Sequence, residues 1–302
     1  MKWRMNTRSE SFGLWLGLLG VLIFAMTLPM TRLAVGPSSD PQLPPLFVTA
    51  GRAAFAGLLS VAVLLAVRAA RPRSSQAAPL AVCAAGTVVG FPLFLGLALR
   101  EVDAMHAAVV TGVLPLGTAL AAALYFRQRP SLAFWACAVL GCALVLAFAA
   151  RQGHGRLSAA DGLLLLAVLS ASIGYVAGAR LAAQMSAERV ICWVLVLSLP
   201  LTLPVTLASW PVQPARMSAW LGLGYVSLFS MWLGFFAWYR GLAIGGTVRV
   251  SQVQLIQPFL ALLFAVPVLG ETLEPATVAF SLAVIATVVL GRRMPVDHRS
   301  RA

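Results

Sequence analysis

Polar residues in this chain are gathered into short links between long apolar runs. Roughly twenty predominantly apolar residues cross a bilayer as a helix. Ten such runs stand at about 12–34, 44–67, 79–99, 104–126, 132–150, 161–180, 189–209, 218–240, 248–269 and 275–291. Backbone groups in lipid must hydrogen-bond within their own segment, so each run is expected to be a helix. The pattern predicts an all-α membrane protein of ten transmembrane helices. The first run follows Lys2, Arg4 and Arg8, as a signal peptide would, but it is longer than an h-region and TLPMTRLAVG carries no A-x-A cleavage site, so it is expected to be a retained helix.

Composition agrees with lipid as the solvent. Of 302 residues 60% are hydrophobic and 10% charged, against about 25% charged in soluble domains. The net charge of +13 would suit nucleic acid, but no basic face with interleaved aromatics exists, so no nucleic-acid partner is expected. The bases act instead as a topology signal. Sixteen Lys and Arg fall in the two termini and the links around 68–73, 127–129, 180–189 and 240–249, while four (Arg100, Arg151, Arg156, Arg216) fall in the alternate links. The excess marks the cytoplasmic side and places both termini there, which requires an even number of helices. Arg32 and Arg52 remain inside the first two runs. The longest cytoplasmic link, RAARPRSSQ, is expected to be a solvated connector rather than a lipid-binding patch. Cys83, Cys137, Cys142 and Cys192 lie within apolar runs without metal-ligand spacing, as buried free thiols would. Trp210, Trp220, Trp238 and Tyr239 lie near helix ends, where interfacial anchoring is expected.

An internal repeat is visible. A shift of 143 residues aligns Val110 with Val253, Pro115 with Pro258 and Gln128 with Glu271, and overlays helices 3–5 on 8–10 without a gap. A five-helix unit is odd in number, so its second copy must enter the membrane from the opposite side. Residues 12–150 and 161–291 are thus expected to form two five-helix inverted-topology repeats, with a binding site near the midplane between them.

Two segments, LALREVDAMHAAVVTGVLPLGTALAAALYFRQRPS and YRGLAIGGTVRVSQVQLIQPFLALLFAVPVLGETLEP, each hold a small-residue turn, a helix with a central proline and a loop into another helix. With Gly270-Glu271 and with Arg52 in TAGRAAFAGLL, the chain resembles the drug/metabolite transporter superfamily in its EamA-domain form. That resemblance implies a ten-helix basket with a central cavity and, commonly, export across the plasma membrane. Gln128 stands where the family has a glutamate in the first copy, which counts against two symmetric carboxylates.

At 100° per residue, Thr247, Val250, Ser251, Gln254, Gln257, Pro258 and Ala261 share a face of the ninth helix. Amides facing lipid are costly, so Gln254 and Gln257 are expected to face protein, as interhelical hydrogen bonds or as substrate contacts. Thr111 aligns with Gln254 on the fourth helix, and Pro115 and Pro258 each disturb the turn before them. Ser230 shares a small-residue face with Ser227, Gly234, Trp238 and Gly241, which suits close packing; Tyr175 groups with Ser172 and Gly178 on the sixth helix. Arg52, about eight residues into the second helix and roughly 12 Å from its outer end, needs a partner. Either Asp103, Glu101 or Glu271 forms a structural pair with it, or a substrate carboxylate does.

No metalloprotease, nucleophile-elbow or phosphate-loop motif occurs, so neither an enzyme nor a cofactor is expected. The sequence points to a secondary transporter, an exporter, of a small polar metabolite or drug-like molecule such as an amino acid or nucleoside. A receptor or structural subunit is the rival reading, and oligomeric state is left open, a homodimer included. All nine acids fall at helix ends, in loops or in tails, and His106 lies near the outer end of the fourth helix, off its polar face. An interfacial histidine and facilitated transport, with Glu271 as the one candidate for weak proton coupling, are the expectation.

Overall fold

A computed structural model describes residues 7–125, 129–152, 157–182, 184–245, 252–293 and 296–297. Helices account for its architecture, apart from a two-residue antiparallel bridge between Arg129–Pro130 and Val296–Asp297. Eight helical stretches among the described residues are long and apolar enough to cross a membrane, from Ser11–Val35 to Met217–Gly241. Two shorter apolar helices follow, Val253–Leu269 and Pro275–Leu290. Large side chains such as Leu58, Leu65, Leu132, Val139, Leu169 and Leu201 are exposed, an outer surface suited to lipid.

Several stretches expected to be uninterrupted are jointed. The first is α1 (Thr7–Ala25) followed by α2 (Thr27–Val35), with a turn at Met26. The second is α3 (Pro45–Ala66). The third consists of α4 (Ser74–Cys83), a π-helical segment Ala84–Gly90 and α5 (Phe91–Ala98). Pro92 has no N–H to return to Val88, so the α ladder cannot run through this point. The fourth divides into α6 (Ala104–Thr111) and α7 (Leu114–Tyr125), with the break just ahead of Pro115. Then come α8 (Leu132–Gln152), α9 (Ala159–Ala182) and α10 (Ala187–Ala208). The eighth comprises α11 (Met217–Tyr225), a second π-helical segment Val226–Leu233 and α12 (Gly234–Gly245). Of the ninth run, expected as one α-helix over 248–269, the described part begins with a 3-10 turn, Gln252–Ile256, before the α-helix Gln257–Leu269. Pro258 sits at that helix's N-terminus, where a missing N–H is tolerated and the turn before it tightens. Residues 248–251, Gln128 and the side chain of Gln252 lie outside the described residues.

The helices pack across the two halves of the chain. α1 lies along α12, α3 along α10, and α9 against α4, α5 and α7; α6 meets the helix Gln257–Leu269, and α8 meets Pro275–Arg293. Two of these contacts are backbone-close. A Cβ on Gly241 would come within 2.7 Å of the Gly17 nitrogen, and one on Gly86 within 2.4 Å of the Ser170 carbonyl. Gly241 thus serves close packing, as expected of that small-residue face, and Trp238 is buried against Gly20 rather than anchored at an interface. Trp210 and Trp220 instead cluster with Phe47. The cysteines are all free, but only Cys83 and Cys192 are buried; Cys142 is exposed on the apolar exterior.

The links gather at two ends. Ser38 donates its N–H to Arg100 O (2.8 Å), Arg216 pairs with Asp40 (2.8 Å), and Arg32 pairs with Asp103 (3.3 Å) at one end. The links 70–76 and 184–189 meet at a second end.

Candidate functional site

The interior between the long helices holds two narrow cavities, each about 40 Å³, that share Leu28, Phe91, Leu114 and Gln257 as walls. A water needs about 10–15 Å³ by this measure, so each has room for only a few. Several of their polar groups, Thr87, Ser230 and Gln254 among them, come from segments where the helices are irregular.

The first cavity is built around Arg52 of α3, a residue only 3% exposed. Its Nη2 donates to Ser230 Oγ at 2.9 Å, and Ser230 Oγ shares a 2.8 Å hydrogen bond with Thr27 Oγ1. Ser230 is presented by the second π-helical segment, Thr87 by the first, Tyr175 by α9 and Gln257 by the start of its helix. Wide π turns displace side chains from the α register, and such segments recur at functional sites. Arg52 Nε and Nη1 and Gln257 Oε1 are buried without a hydrogen-bond partner in the protein. A guanidinium cannot shed its proton, so its burial costs several kcal/mol unless an anion or a full set of acceptors offsets it.

The structural pair expected for Arg52 does not form among the described residues. Asp103 pairs with Arg32, whose Nη1 also donates to Leu99 O. Glu271 accepts from the backbone N–H groups of Ala104 (2.7 Å) and Met105 (2.8 Å), capping α6. These acids belong to the loop end, and Arg52 lies two turns inside α3.

The second cavity brings together Thr111, Gln254, Gln257, Pro115 and Pro258. The Thr111 hydroxyl donates to Ala107 O (2.7 Å) on its own helix, leaving only its lone pairs for another group. Of the side chains singled out from sequence, Arg52, Tyr175, Ser230 and Gln257 thus share one cavity, and Gln254 and Thr111 join Gln257 in the next. Glu271 stands apart, lining two wider cavities at the loop end. Thr27 and Thr87 were missed. Thr87 could have been found: it lies 143 positions before Ser230, the offset that aligns Thr111 with Gln254.

His106 departs from expectation. It is 8% exposed, packs on Phe148, and its Nε2 lies 2.7 Å from Asp161 Oδ1. Asp161 Oδ2 accepts from both the backbone N–H and the hydroxyl of Ser158, each at 2.8 Å. An interfacial histidine would have had its ring in water or headgroups. Here the ring is an internal joint between α6 and α9. Among the described residues no group of His, Cys, Asp and Glu could hold a metal ion.

Two stretches, residues 11–149 and 158–291, each match the EamA-like transporter family. The chain is 44% identical to "Uncharacterized transporter YdeK" of Bacillus subtilis (strain 168), over 92% of this chain and 96% of that one. It is 25% identical to a "Probable terminal-alkyne amino-acid exporter" of Streptantibioticus cattleyicolor, covering 77% of this chain and 78% of that relative. A solved crystal structure shares the fold at a TM-score of 0.62 and 21% identity, covering 93% of this chain and 98% of its own. With both halves matched and multiple apolar helices long enough to span a bilayer, the chain belongs to the EamA-like transporter family and is a multi-pass membrane transporter.

Proposed function

We propose that this transporter exports a small carboxylate-bearing metabolite, an amino acid or close analogue, across the cell membrane, with Arg52 as the group that receives the carboxylate. The observation that carries this is the burial of Arg52 with one neutral hydroxyl partner and two unpartnered nitrogens. Nη2 keeps a second N–H beside the one given to Ser230, so one fork, with Nε or with Nη1, remains to match a carboxylate's two oxygens. Ser230, Tyr175, Gln257 and, across the shared wall, Gln254 and Thr111 then meet the rest of the substrate. The relative named as an amino-acid exporter points to the same class. Cavities of about 40 Å³ are too narrow for such a molecule, so this conformation is closed around the site and transport requires the halves to part.

The proposed scaffold is ten helices in two inverted repeats, 12–150 and 161–291, with both termini cytoplasmic. The π-helical segments support it, because Ala84–Gly90 and Val226–Leu233 are related, to within one residue, by the offset that aligns Pro115 with Pro258. Membership of a transporter family supports transport without catalysis.

The test compares each amino acid with its carboxamide in vesicles containing the purified protein. Wild type should transport the carboxylate at least tenfold faster than the amide. Arg52→Gln should lose carboxylate transport and with it the preference. Equal rates for acid and amide in the wild type, or an Arg52→Gln protein that still prefers the acid, would overturn the assignment.

A further inference from the structure

The links 70–76 and 184–189 border an open cavity of about 390 Å³, its arginines exposed to solvent, at the end of the molecule away from Glu271. It lies where α3 and α9 end and α4 and α10 begin, at the level where a bilayer gives way to water. The connector is exposed over most of its length and is tied down at its end. Gln76 is buried, its Oε1 accepts the Arg73 N–H (2.9 Å), and its Nε2 donates to Gln184 Oε1 (3.2 Å), joining the two links.

The walls of this cavity offer donors and no anion. Arg71, Arg73 and Arg189 line it, and none of them forms an ion pair among the described residues. Glu188 neighbours Arg189 in sequence but is not part of the lining. Trp193 completes the wall, and its indole N–H is buried without an acceptor. A carboxylate has two oxygens and is filled by one guanidinium fork. Three guanidinium groups and an indole N–H call for an anion with three or four oxygens. Arginine also binds phosphate bidentately with less dehydration cost than lysine, and every base in this wall is arginine.

We propose that this cavity is a phosphate-binding site, held by Arg71, Arg73, Arg189 and the Trp193 N–H. Its position suits the headgroup of an anionic phospholipid, and a soluble phosphate offers the same chemistry. The site is separate from the Arg52 cavity and shares no lining residue with it.

Protein purified in detergent should be titrated with inorganic phosphate by calorimetry. In parallel, retention of phosphatidylglycerol and phosphatidylcholine should be counted by native mass spectrometry. Preferential retention of phosphatidylglycerol with no saturable phosphate binding assigns a lipid headgroup; saturable phosphate binding without lipid preference assigns a soluble phosphate. Either supports the site if the triple variant R71Q/R73Q/R189Q weakens it at least tenfold and Trp193→Phe weakens it about threefold to fivefold, one lost hydrogen bond. The charge-matched R4Q/R8Q/R299Q protein should bind as wild type does. All variants are checked for monodispersity, and Trp193→Phe removes no charge and keeps most of the side-chain volume. The proposal is overturned if wild type prefers neither probe over phosphatidylcholine, or if the charge-matched protein loses as much as the cavity triple.

Discussion

Glu271 holds two backbone N–H groups of α6 while it is itself partly buried, and these facts pull its titration in opposite directions. Burial, the largest influence, raises its carboxyl above the ordinary glutamate value; the Ala104 and Met105 bonds lower it, Asp103 raises it and Arg32 lowers it, with a net upward shift. A raised carboxyl binds its proton more tightly in the folded protein than in the unfolded chain. Its contribution to stability is therefore fully present below the ordinary glutamate value and fades as pH rises through the folded one. Glu271→Gln imitates the protonated form and does not titrate. The melting temperature of wild type minus that of Glu271→Gln should grow as pH falls from 7.5 to 5. A difference that shrinks on acidification would show that the α6 cap outweighs burial. This residue was singled out from sequence, but its partners were not legible there, because they are amides 166 and 167 positions away. Arg52 shows the same limit. Its isolation in an apolar run signalled a buried cation, and its neighbour Ser230 is 178 positions distant. Of the three acids assigned to it by proximity to the outer end, Asp103 serves Arg32 and Glu271 serves α6.

Apolar runs were legible because lipid demands them without interruption, but their inner geometry was not. Counting 100° per residue assumes an α ladder, and that assumption fails in both π-helical segments and in the 3-10 turn that carries Gln254. The prolines marked two of the breaks; the second π-helical segment contains none. Helix contacts were readable only as a general taste for small residues, and the structure separates glycines that matter from those that do not. A Cβ at Gly86 would lie 2.4 Å from Ser170 O and 2.8 Å from Gly174 Cα, both backbone atoms that cannot yield alone. Around Gly162 and Gly224, also helical, nothing lies within 4 Å. Gly86→Ala should therefore destabilise the protein by about 1–3 kcal/mol through overpacking. Gly162→Ala and Gly224→Ala should be neutral or stabilise by up to about 1 kcal/mol through helix propensity. Denaturant titration of the detergent-solubilised variants decides it, and a Gly86→Ala protein as stable as wild type would mean that the π segment and α9 are not packed this closely.

The most extensive helix contacts among the described residues map onto one another when the two halves are exchanged. The first long helix lies against the eighth as the sixth lies against the third, while the second meets the seventh and α8 meets Pro275–Arg293. That exchange relates the two halves to each other, and under the inverted repeat proposed above it makes the arginine count a statement about both halves at once. If sixteen bases against four set the direction of insertion, the end bearing the links 70–76 and 184–189 faces the cytoplasm and the end bearing Asp40, Asp103 and Glu271 faces outward. The bridge between 129–130 and 296–297 adds a constraint independent of charge: the link after α7 and the C-terminal segment must lie on the same side. An odd number of crossings between residues 130 and 296 is thereby excluded. Single cysteines, introduced at Ser38, Thr272, Pro72 and Ala302 after the four native cysteines are replaced by alanine, can be labelled with a membrane-impermeant maleimide in intact cells. Positions 38 and 272 should react from outside, and 72 and 302 only after permeabilisation. Labelling of 38 and 72 from the same side would remove α3 as a spanning helix. Labelling of 302 from outside intact cells would break the bridge, the even count and the inverted repeat together, and with them the midplane placement of the Arg52 site.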